Sequence, residues 1–352
     1  MPSKAWSTEE AYRRRVVQLR RQAAAWLGRE PHGTVKPTEL VDYLVSRRLA
    51  SQILDGSGET SSSSKKHRDE LARHAISKAS WRQYRAALLY VLGEEQFATE
   101  NKPMAAELEA AKARLREEVQ TGCLKRTRRT SGQKCKAFPA QDFETILRYL
   151  ESQIGVQRHA NTLRIWLLAS RLVGVRPSEW RTGGLIEVDG ELVFRVRNAK
   201  TTNGRGNGTD RMLRLTGASP EDVEHIDDML YMLVEFEKEP GYRFERHLRQ
   251  LGDYMRTVSR KCLGKRASYP TLYSLRHQFA ADAKNSYTQS EVAALMGHGV
   301  DVTATIHYGR RASGQGALKV APLPAQVATV RNHPKASSRV RSARRTWDPA
   351  RS

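Results

Sequence analysis

Cysteine and long apolar runs are scarce in this chain. The three cysteines, Cys123, Cys135 and Cys262, are odd in number and match neither a zinc-binding spacing nor a redox CxxC pair. We therefore expect free thiols in a reducing cytoplasm, with no metal and no cofactor. The longest strongly apolar run, residues 165–169, is too short to span a bilayer. The N-terminus also lacks the apolar core of a secretory signal.

Acidic residues are outnumbered as well. Lys and Arg total 60 against 38 Asp and Glu, which gives a formal net charge of +22 over 352 residues. Each phosphate contact made by Lys or Arg releases condensed counterions, so this surplus favours a polyanionic partner. An anionic membrane surface would instead require a basic amphipathic helix with a strong apolar face, or a lipidation signal. The sequence contains neither, and nucleic acid is the predicted partner.

The first 120 residues predict an all-α domain of four or five helices. Apolar positions recur at helical spacing in four segments. These segments predict helices over 8–28, from residue 37 to 49, over 65–92 and over 103–119. The Gly/Ser-rich stretch 55–64 predicts a loop between the second and third.

Two changes of composition divide the rest of the chain. Residues 121–137 carry six basic residues and almost no apolar ones, which predicts a linker. This linker is either a solvated hinge or a segment that lies along the DNA backbone between the two domains. Residues 138–321 predict a mainly α domain with a small antiparallel sheet, marked by a hairpin turn at Asp189-Gly190. Residues 322–352 are basic and predict a disordered tail.

Five residues of the second domain could together attack a phosphodiester. A guanidinium group can donate two parallel hydrogen bonds to phosphate oxygens and stays charged. Arg176 and Arg276 are therefore candidates for neutralising the negative charge on the phosphate during attack. The remaining roles are a proton donor to the leaving oxygen, a hydrogen bond to the phosphate and a nucleophile. The candidates for these, in that order, are Lys200, His298 and Tyr308.

Each of these residues, taken singly, also has an ordinary structural interpretation. Arg176 could simply precede a helix with Glu179 on its surface, and Lys200 could be one of the many lysines found in turns. His298 lies between two glycines and could be a loop or cap residue. Tyr308 could be a half-buried aromatic. The order and spacing of the set therefore carry the functional hypothesis.

That order and spacing resemble those of the tyrosine recombinases, the phage-integrase family, over residues 138–311. The preceding all-α block resembles the core-binding domain of that family. The resemblance implies a mobile-element type of recombinase that cuts and rejoins duplex DNA through a 3′-phosphotyrosine, without metal or ATP. It also implies four protomers on two synapsed DNA sites in the cytoplasm, at the nucleoid when bound to DNA. An accessory DNA-bending protein is a candidate further partner.

The chain departs from the family pattern at two places. Tyr273 stands where the family usually has a histidine three residues before the arginine, and a phenol is a poor base near neutral pH. We expect Tyr273 to contact the phosphate, with His277 in support and His307 incidental. The interval from His298 to Tyr308 is one residue longer than usual. Two alternatives therefore stay open: a DNA-binding relative with impaired catalysis, and a type IB topoisomerase-like enzyme that relaxes DNA.

The C-terminal part of the second domain carries a further apolar segment at residues 312–330. The resemblance implies that this segment docks onto a neighbouring protomer. The alternative is that it packs on its own chain.

Overall fold

The computed structural model describes residues 6–55, 70, 72–119, 121, 123, 135–199, 201 and 206–333. The chain divides into two compact units, Met1–Arg129 and Thr130–Ser352. Most of the predicted basic linker, nearly all of the predicted loop at 55–64, Lys200 and residues 334–352 lie outside the described residues. Within the described ranges, none of the helices combines the length and apolar character needed to cross a membrane.

The first unit is built from helices. They are α1 (Trp6–Trp26), α2 (Pro37–Asp55), α3 (Lys78–Ala98) and α4 (Lys102–Glu117). Helix α3 begins later than the predicted residue 65, because the Ser77 side chain accepts a hydrogen bond from the Ser80 N–H and caps the helix at that point. The helices enclose one apolar core that includes Leu19, Leu44 and Trp81.

The second unit is mainly helical, with one small sheet. Its longer helices are α5 (Ala140–Ser152), α6 (Ala160–Val173), α7 (Pro220–Lys238), α8 (Phe244–Leu263) and α9 (Ser274–Ser286). Three short helices follow: α10 (Gln289–Leu295), α11 (Thr303–His307) and α12 (Pro324–Ala328). A 3₁₀ helix, Pro177–Thr182, connects α6 to the sheet. The predicted fold class, mainly α with a small antiparallel sheet, is confirmed.

The sheet has four antiparallel strands in sequence order. They are β1 (Gly183–Val188), β2 (Glu191–Arg197), β3 (Asp210–Arg214) and β4 (Ala321–Pro322). The turn between β1 and β2 has positive φ at Asp189 (53°) and Gly190 (77°), as a two-residue hairpin requires. The predicted hairpin is therefore confirmed. Strand β4 was not predicted, because two residues are too few to show an alternating pattern.

The C-terminal segment makes several contacts with the rest of the second unit. The segment 312–330 packs on its own chain: β4 pairs with β3, the Tyr287 hydroxyl donates to the Val320 carbonyl at 2.8 Å, and Val330 packs with Ala293 and Ala294. The segment thus makes contacts within its own chain, and its docking onto a neighbouring protomer stays a prediction. Helix α12 lies inside the stretch 322–352 that was predicted to be a disordered tail, so that prediction needs correction at this helix.

Helix α10 begins with a capping box. The structure has Thr288 as the cap, with its side chain accepting from the Glu291 N–H and the Glu291 carboxylate accepting from the Thr288 N–H. The reciprocal bonds fix the start of the helix at Gln289.

Candidate active site

Arg276 lies at the centre of a buried polar cluster in the second unit. It is 0% exposed, because almost every residue of the first turns of α9 is buried. Its guanidinium donates to the Gly174 carbonyl at 2.8 Å, to the Met296 carbonyl at 2.5 Å and, from Nε, to the Tyr308 hydroxyl at 3.3 Å. Three acceptors from distant parts of the chain thus fix the arginine in place.

Gly174 allows this close approach. It ends α6 in the left-handed conformation, with φ 57°, and a Cβ at this position would lie 2.1 Å from the Phe279 ring. A side chain here would therefore be both strained and sterically blocked. The glycine lets its own carbonyl face Arg276 while α9 packs directly against the end of α6.

Arg176 joins the cluster through Glu179. Arg176 precedes the 3₁₀ helix, and its backbone N–H donates to the Glu179 carboxylate at 2.7 Å while the two side chains form an ion pair. Glu179 is 1% exposed, which contradicts the ordinary interpretation that placed it on a helix surface. Burial alone would raise the pKa of Glu179, but Arg211, Arg276 and Arg176 outweigh it and lower that pKa strongly.

Arg211, on β3, is the residue that the sequence analysis missed. It is 1% exposed and donates to the Glu179 carboxylate at 2.8 Å and to the Asn198 side-chain oxygen at 3.3 Å. Burial lowers the pKa of Arg211 to about 10, so it stays charged near neutral pH. One signal could have revealed it: Arg211 shares the inward face of β3 with Leu213, where an arginine needs a buried partner.

The cluster holds more positive than negative charge. Arg176, Arg211 and Arg276 all lie within 4 Å of the single carboxylate of Glu179, at which their ion pairs converge. Three positive charges against one negative charge leave a surplus of two. A buried surplus of this kind is costly unless an anion balances it, so the arrangement suits a phosphate.

Tyr308 faces this surplus from the end of α11. It is 9% exposed, and its hydroxyl lies 3.0 Å from the Tyr273 hydroxyl. Burial raises the pKa of Tyr308, but Arg276, Arg176 and the hydrogen bonds from Tyr273 and Arg276 outweigh it, and the net direction is downward. The pKa of Tyr273 moves upward, mainly through burial and the neighbouring Tyr308. The two phenols are therefore unequal, and Tyr308 is the one favoured to ionise.

His298 lies beside the Tyr308 ring, with the two ring centres 5.2 Å apart. It is 3% exposed, and its Nδ1 has no hydrogen-bond partner within the described part of the chain. Burial, together with Arg276, Arg176 and Arg211, lowers the pKa of His298 to about 2. The imidazole is therefore neutral near neutral pH and keeps an unused hydrogen-bonding nitrogen for a bound group.

A second glycine positions His298. Gly297 has φ 64°, and a Cβ there would lie 2.1 Å from the Asn198 side-chain oxygen and 2.7 Å from Arg211. The turn that carries His298 is thus packed against Asn198 and Arg211. Arg211, which donates to Glu179, therefore also supports the turn that carries His298.

The remaining predicted residues fall in different places. The His277 ring packs 5.2 Å from the Tyr273 ring and 5.1 Å from the Tyr308 ring, while His307 is exposed at the end of α11. Lys200 is not among the described residues, but Ala199, just before it, donates its N–H to Glu179 at 3.2 Å. The chain thus reaches the cluster one residue before Lys200. The structure therefore brings together Arg176, Tyr273, Arg276, His298 and Tyr308.

Within the described ranges, no group of three or more His, Cys, Asp or Glu side chains is arranged to hold a metal ion. Tyr308 interacts electrostatically with the guanidinium groups of Arg276 and Arg176. The site as described can bind an anion, and it presents an oxygen nucleophile to that anion.

No family model matches the chain, and no curated protein matches it in sequence. Among solved structures it is similar to the XerH site-specific recombinase bound to difH substrate, at 14% identity and a TM-score of 0.42, over 77% of this chain and 74% of that chain. A lambda integrase tetramer bound to a Holliday junction matches at 17% identity and a TM-score of 0.39, over 84% and 86%. The Tn1549 transposon integrase with transposon right end DNA matches at 14% and 0.38, over 94% and 98%. At these values the similarity is too remote to carry function to this chain.

Proposed function

We propose that this protein is a tyrosine recombinase that cuts and rejoins duplex DNA through a covalent 3′-phosphotyrosine on Tyr308. The observation that carries the proposal is the contact between Tyr308 and Arg276 inside a buried pocket with surplus positive charge. A phenol with a lowered pKa beside fixed guanidinium groups has what attack on a phosphodiester requires. The order of the site residues along the chain, which resembles the phage-integrase family, supports the same reaction.

In the proposed step, the Tyr308 oxygen attacks the scissile phosphorus and displaces the 5′ oxygen of the next nucleotide. The phenolic proton of Tyr308 passes to solvent water before attack, as its lowered pKa favours, and Lys200 donates a proton to the departing 5′ oxygen. Arg176 and Arg276 neutralise the charge that accumulates on the non-bridging oxygens. Attack by a 5′ hydroxyl on the phosphotyrosine reverses the step and releases Tyr308, so no ATP is consumed.

Tyr273 and His298 complete the proposed site as hydrogen-bonding residues. Tyr273 has a raised pKa, so it stays protonated and can donate to a phosphate oxygen when the nucleophile has moved to phosphorus. His298 is neutral and offers a nitrogen that has no partner within the described chain. Both residues then bind the phosphate and neither acts as a strong base.

The proposed partner is double-stranded DNA, with which a net charge of +22 is consistent. We assign DNA gripping to the helical domain 1–120 and the linker 121–137, and catalysis to 138–321. Assembly of four protomers on two synapsed sites, action in the cytoplasm at the nucleoid, and service to a mobile element belong to the same proposal.

One alternative has an observation in its favour. The Tyr308 hydroxyl is engaged by both Tyr273 and Arg276, so a phosphate must displace existing contacts before attack can occur. A DNA-binding relative with impaired catalysis would keep those contacts permanently. A topoisomerase-like enzyme would form the adduct but relax DNA without exchanging partners.

The proposal is tested with supercoiled plasmid that carries the DNA flanking the gene of this protein. The full chain is incubated with it, the reaction is quenched in SDS, and protein attached to a 3′ end is measured. We expect an adduct with the wild type and with Tyr287→Phe, a control in the same unit whose hydroxyl bonds to the Val320 carbonyl. Tyr308→Phe should give none. Tight binding without any wild-type adduct would favour the impaired relative, and relaxation without recombinants would favour the topoisomerase.

A further inference from the structure

A cavity of about 770 Å³ lies in the second unit and shares no lining residue with the arginine cluster. It opens where the starts of α6 and α8 meet the end of α7, and its lining includes Thr162, Phe236 and Arg246. That volume falls in the usual range for small-molecule sites, about 300–1,000 Å³. The proposed DNA cleavage uses none of these residues.

Two helices present their N-termini to this cavity. Helix α6 has 14 residues and α8 has 20, and neither His159 nor Arg243 at their N-caps makes a side-chain capping bond. The first backbone N–H groups of a helix have no partner within the helix and carry partial positive charge. The Ala160 N–H of α6 already donates to the Gln157 carbonyl at 3.0 Å, and the other first-turn N–H groups of the two helices favour an anion such as a phosphate there.

Three arginines add full positive charge at the same side. Arg158, Arg243 and Arg246 line the cavity, and none makes a side-chain hydrogen bond or an ion pair with another described residue. Acidic side chains also line the cavity but come from α7 and the turn after it: Asp228, Glu235 and Glu239. An anionic group is therefore directed toward the starts of α6 and α8, and away from α7.

The wall between these charges is aromatic. Phe236 and Tyr242 stack with ring centres 5.8 Å apart and planes 16° apart, and the His247 ring lies 4.6 Å from Phe236. His247 is only 8% exposed, and its Nε2 has no hydrogen-bond partner within the described residues. Burial lowers the pKa of His247, so its imidazole is neutral and keeps one nitrogen for a ligand. Such a wall suits a planar ring with polar edges.

We propose that this cavity binds a nucleotide, with the base against Phe236, Tyr242 and His247 and the phosphate at the starts of α6 and α8. A free nucleotide and a nucleotide unit of single-stranded DNA carry the same two groups, so either source satisfies the cavity. The site is separate from the arginine cluster and does not depend on DNA cleavage.

The test is calorimetric titration of the full chain with AMP, GMP, CMP and TMP, and with inorganic phosphate. We expect saturable binding of at least one nucleotide, tighter than that of phosphate. Arg246→Gln should weaken nucleotide and phosphate binding about tenfold or more, because a charge-assisted contact is lost. Arg249→Gln, on the same helix but outside the cavity lining, should change neither. Phe236→Leu should weaken the nucleotide and leave phosphate unchanged.

Several results would overturn the proposal. The wild type could show no saturable nucleotide binding, or it could bind nucleotide and phosphate with equal affinity. Equal losses of affinity in Arg246→Gln and Arg249→Gln would also overturn it. Circular dichroism melting of each variant shows whether a loss reflects unfolding, and Arg246→Lys, which retains the charge, should recover part of the affinity if folding is intact. Competition by a short single-stranded oligonucleotide then identifies the source: displacement indicates a DNA unit, and its absence indicates a free nucleotide.

Discussion

Two sets of arginine ion pairs, one in each unit, are arranged in opposite ways. In the first, Arg13 pairs with Glu94 and Arg20 with Glu95, one cation to one anion, and the Arg13 and Glu94 side chains are 44% and 37% exposed. In the second, Arg176, Arg211 and Arg276 converge on Glu179, and the Arg211 and Glu179 side chains are 0% exposed. The first arrangement balances charge in water, while the second holds an unbalanced surplus away from it.

We propose that this difference separates arginines that support the fold from arginines that bind the substrate. Exposed one-to-one pairs are screened by solvent and contribute little to stability. Buried charge without a full complement is expensive, and proteins keep it where a ligand supplies the missing charge. The net charge of the chain therefore favours an anionic partner, and the buried arginine cluster is where we propose that this partner binds.

The largest expected effect comes from removing the shared carboxylate. Glu179→Gln leaves three buried guanidinium groups with no anion and should lower the free energy of unfolding by about 3–5 kcal/mol, measured by urea denaturation. Glu94→Gln, the matched change at the exposed pair, should leave the unfolding midpoint nearly unchanged. Equal losses of unfolding free energy in Glu179→Gln and Glu94→Gln would show that the buried cluster and the exposed pair do not differ in this respect.

The next effect is catalytic. Arg276→Lys keeps a positive charge but loses the planar fork, and should reduce the rate of adduct formation by about 10²–10³. Plasmid binding at fixed salt should change little, since one phosphate contact among many is altered. Arg256→Lys, an exposed arginine of α8, serves as the control. Full activity in the Arg276 variant would remove this arginine from the proposed site.

The pH dependence follows from the lowered pKa of Tyr308. Because the arginines favour the phenolate, adduct formation should rise with pH and level off below the ordinary tyrosine value of about 10. Arg176→Gln removes a charge that lowers the pKa of Tyr308, so the rising limb should move to higher pH. The rate profile is measured by quenched sampling across the range. If the rate of the Arg176→Gln variant rises at the same pH as that of the wild type, or at a lower pH, Arg176 does not lower the pKa of Tyr308.

The smallest expected effect is at the exposed pair itself. A double-mutant cycle of Arg13→Ala and Glu94→Ala should give a coupling energy close to experimental error, and added salt should reduce it further. Chemical denaturation in low and high salt measures it. A large coupling that resists salt would mean that the first unit also holds a buried functional charge.

Local chemistry made much of this fold predictable. Helix α7 begins at a signal that the sequence contains, because Ser219 and Asp222 form a capping box around Pro220. The Asp189-Gly190 turn was predictable for the same reason, since the signal lies in adjacent residues. The spacing of Arg176, Arg276, His298 and Tyr308 also placed them correctly in one cluster, although their roles remain proposals.

What the sequence could not indicate depends on distant packing. Arg211 meets Glu179 across 32 residues, and nothing near Glu179 distinguishes it from a surface carboxylate. The bond between the Tyr273 and Tyr308 hydroxyls spans 35 residues, and β4 exists only because it pairs with β3. Such contacts are decided by how whole helices and strands pack, and a local pattern does not contain them.

The most direct test of the proposed chemistry is to identify the residue that becomes attached to DNA. Wild-type protein is trapped on a nicked plasmid or oligonucleotide substrate, digested with nuclease and protease, and analysed by tandem mass spectrometry. The account predicts a nucleotide mass on the peptide that contains Tyr308, linked through a phosphate to the phenolic oxygen. Attachment at Tyr273, or at any other residue, would contradict it.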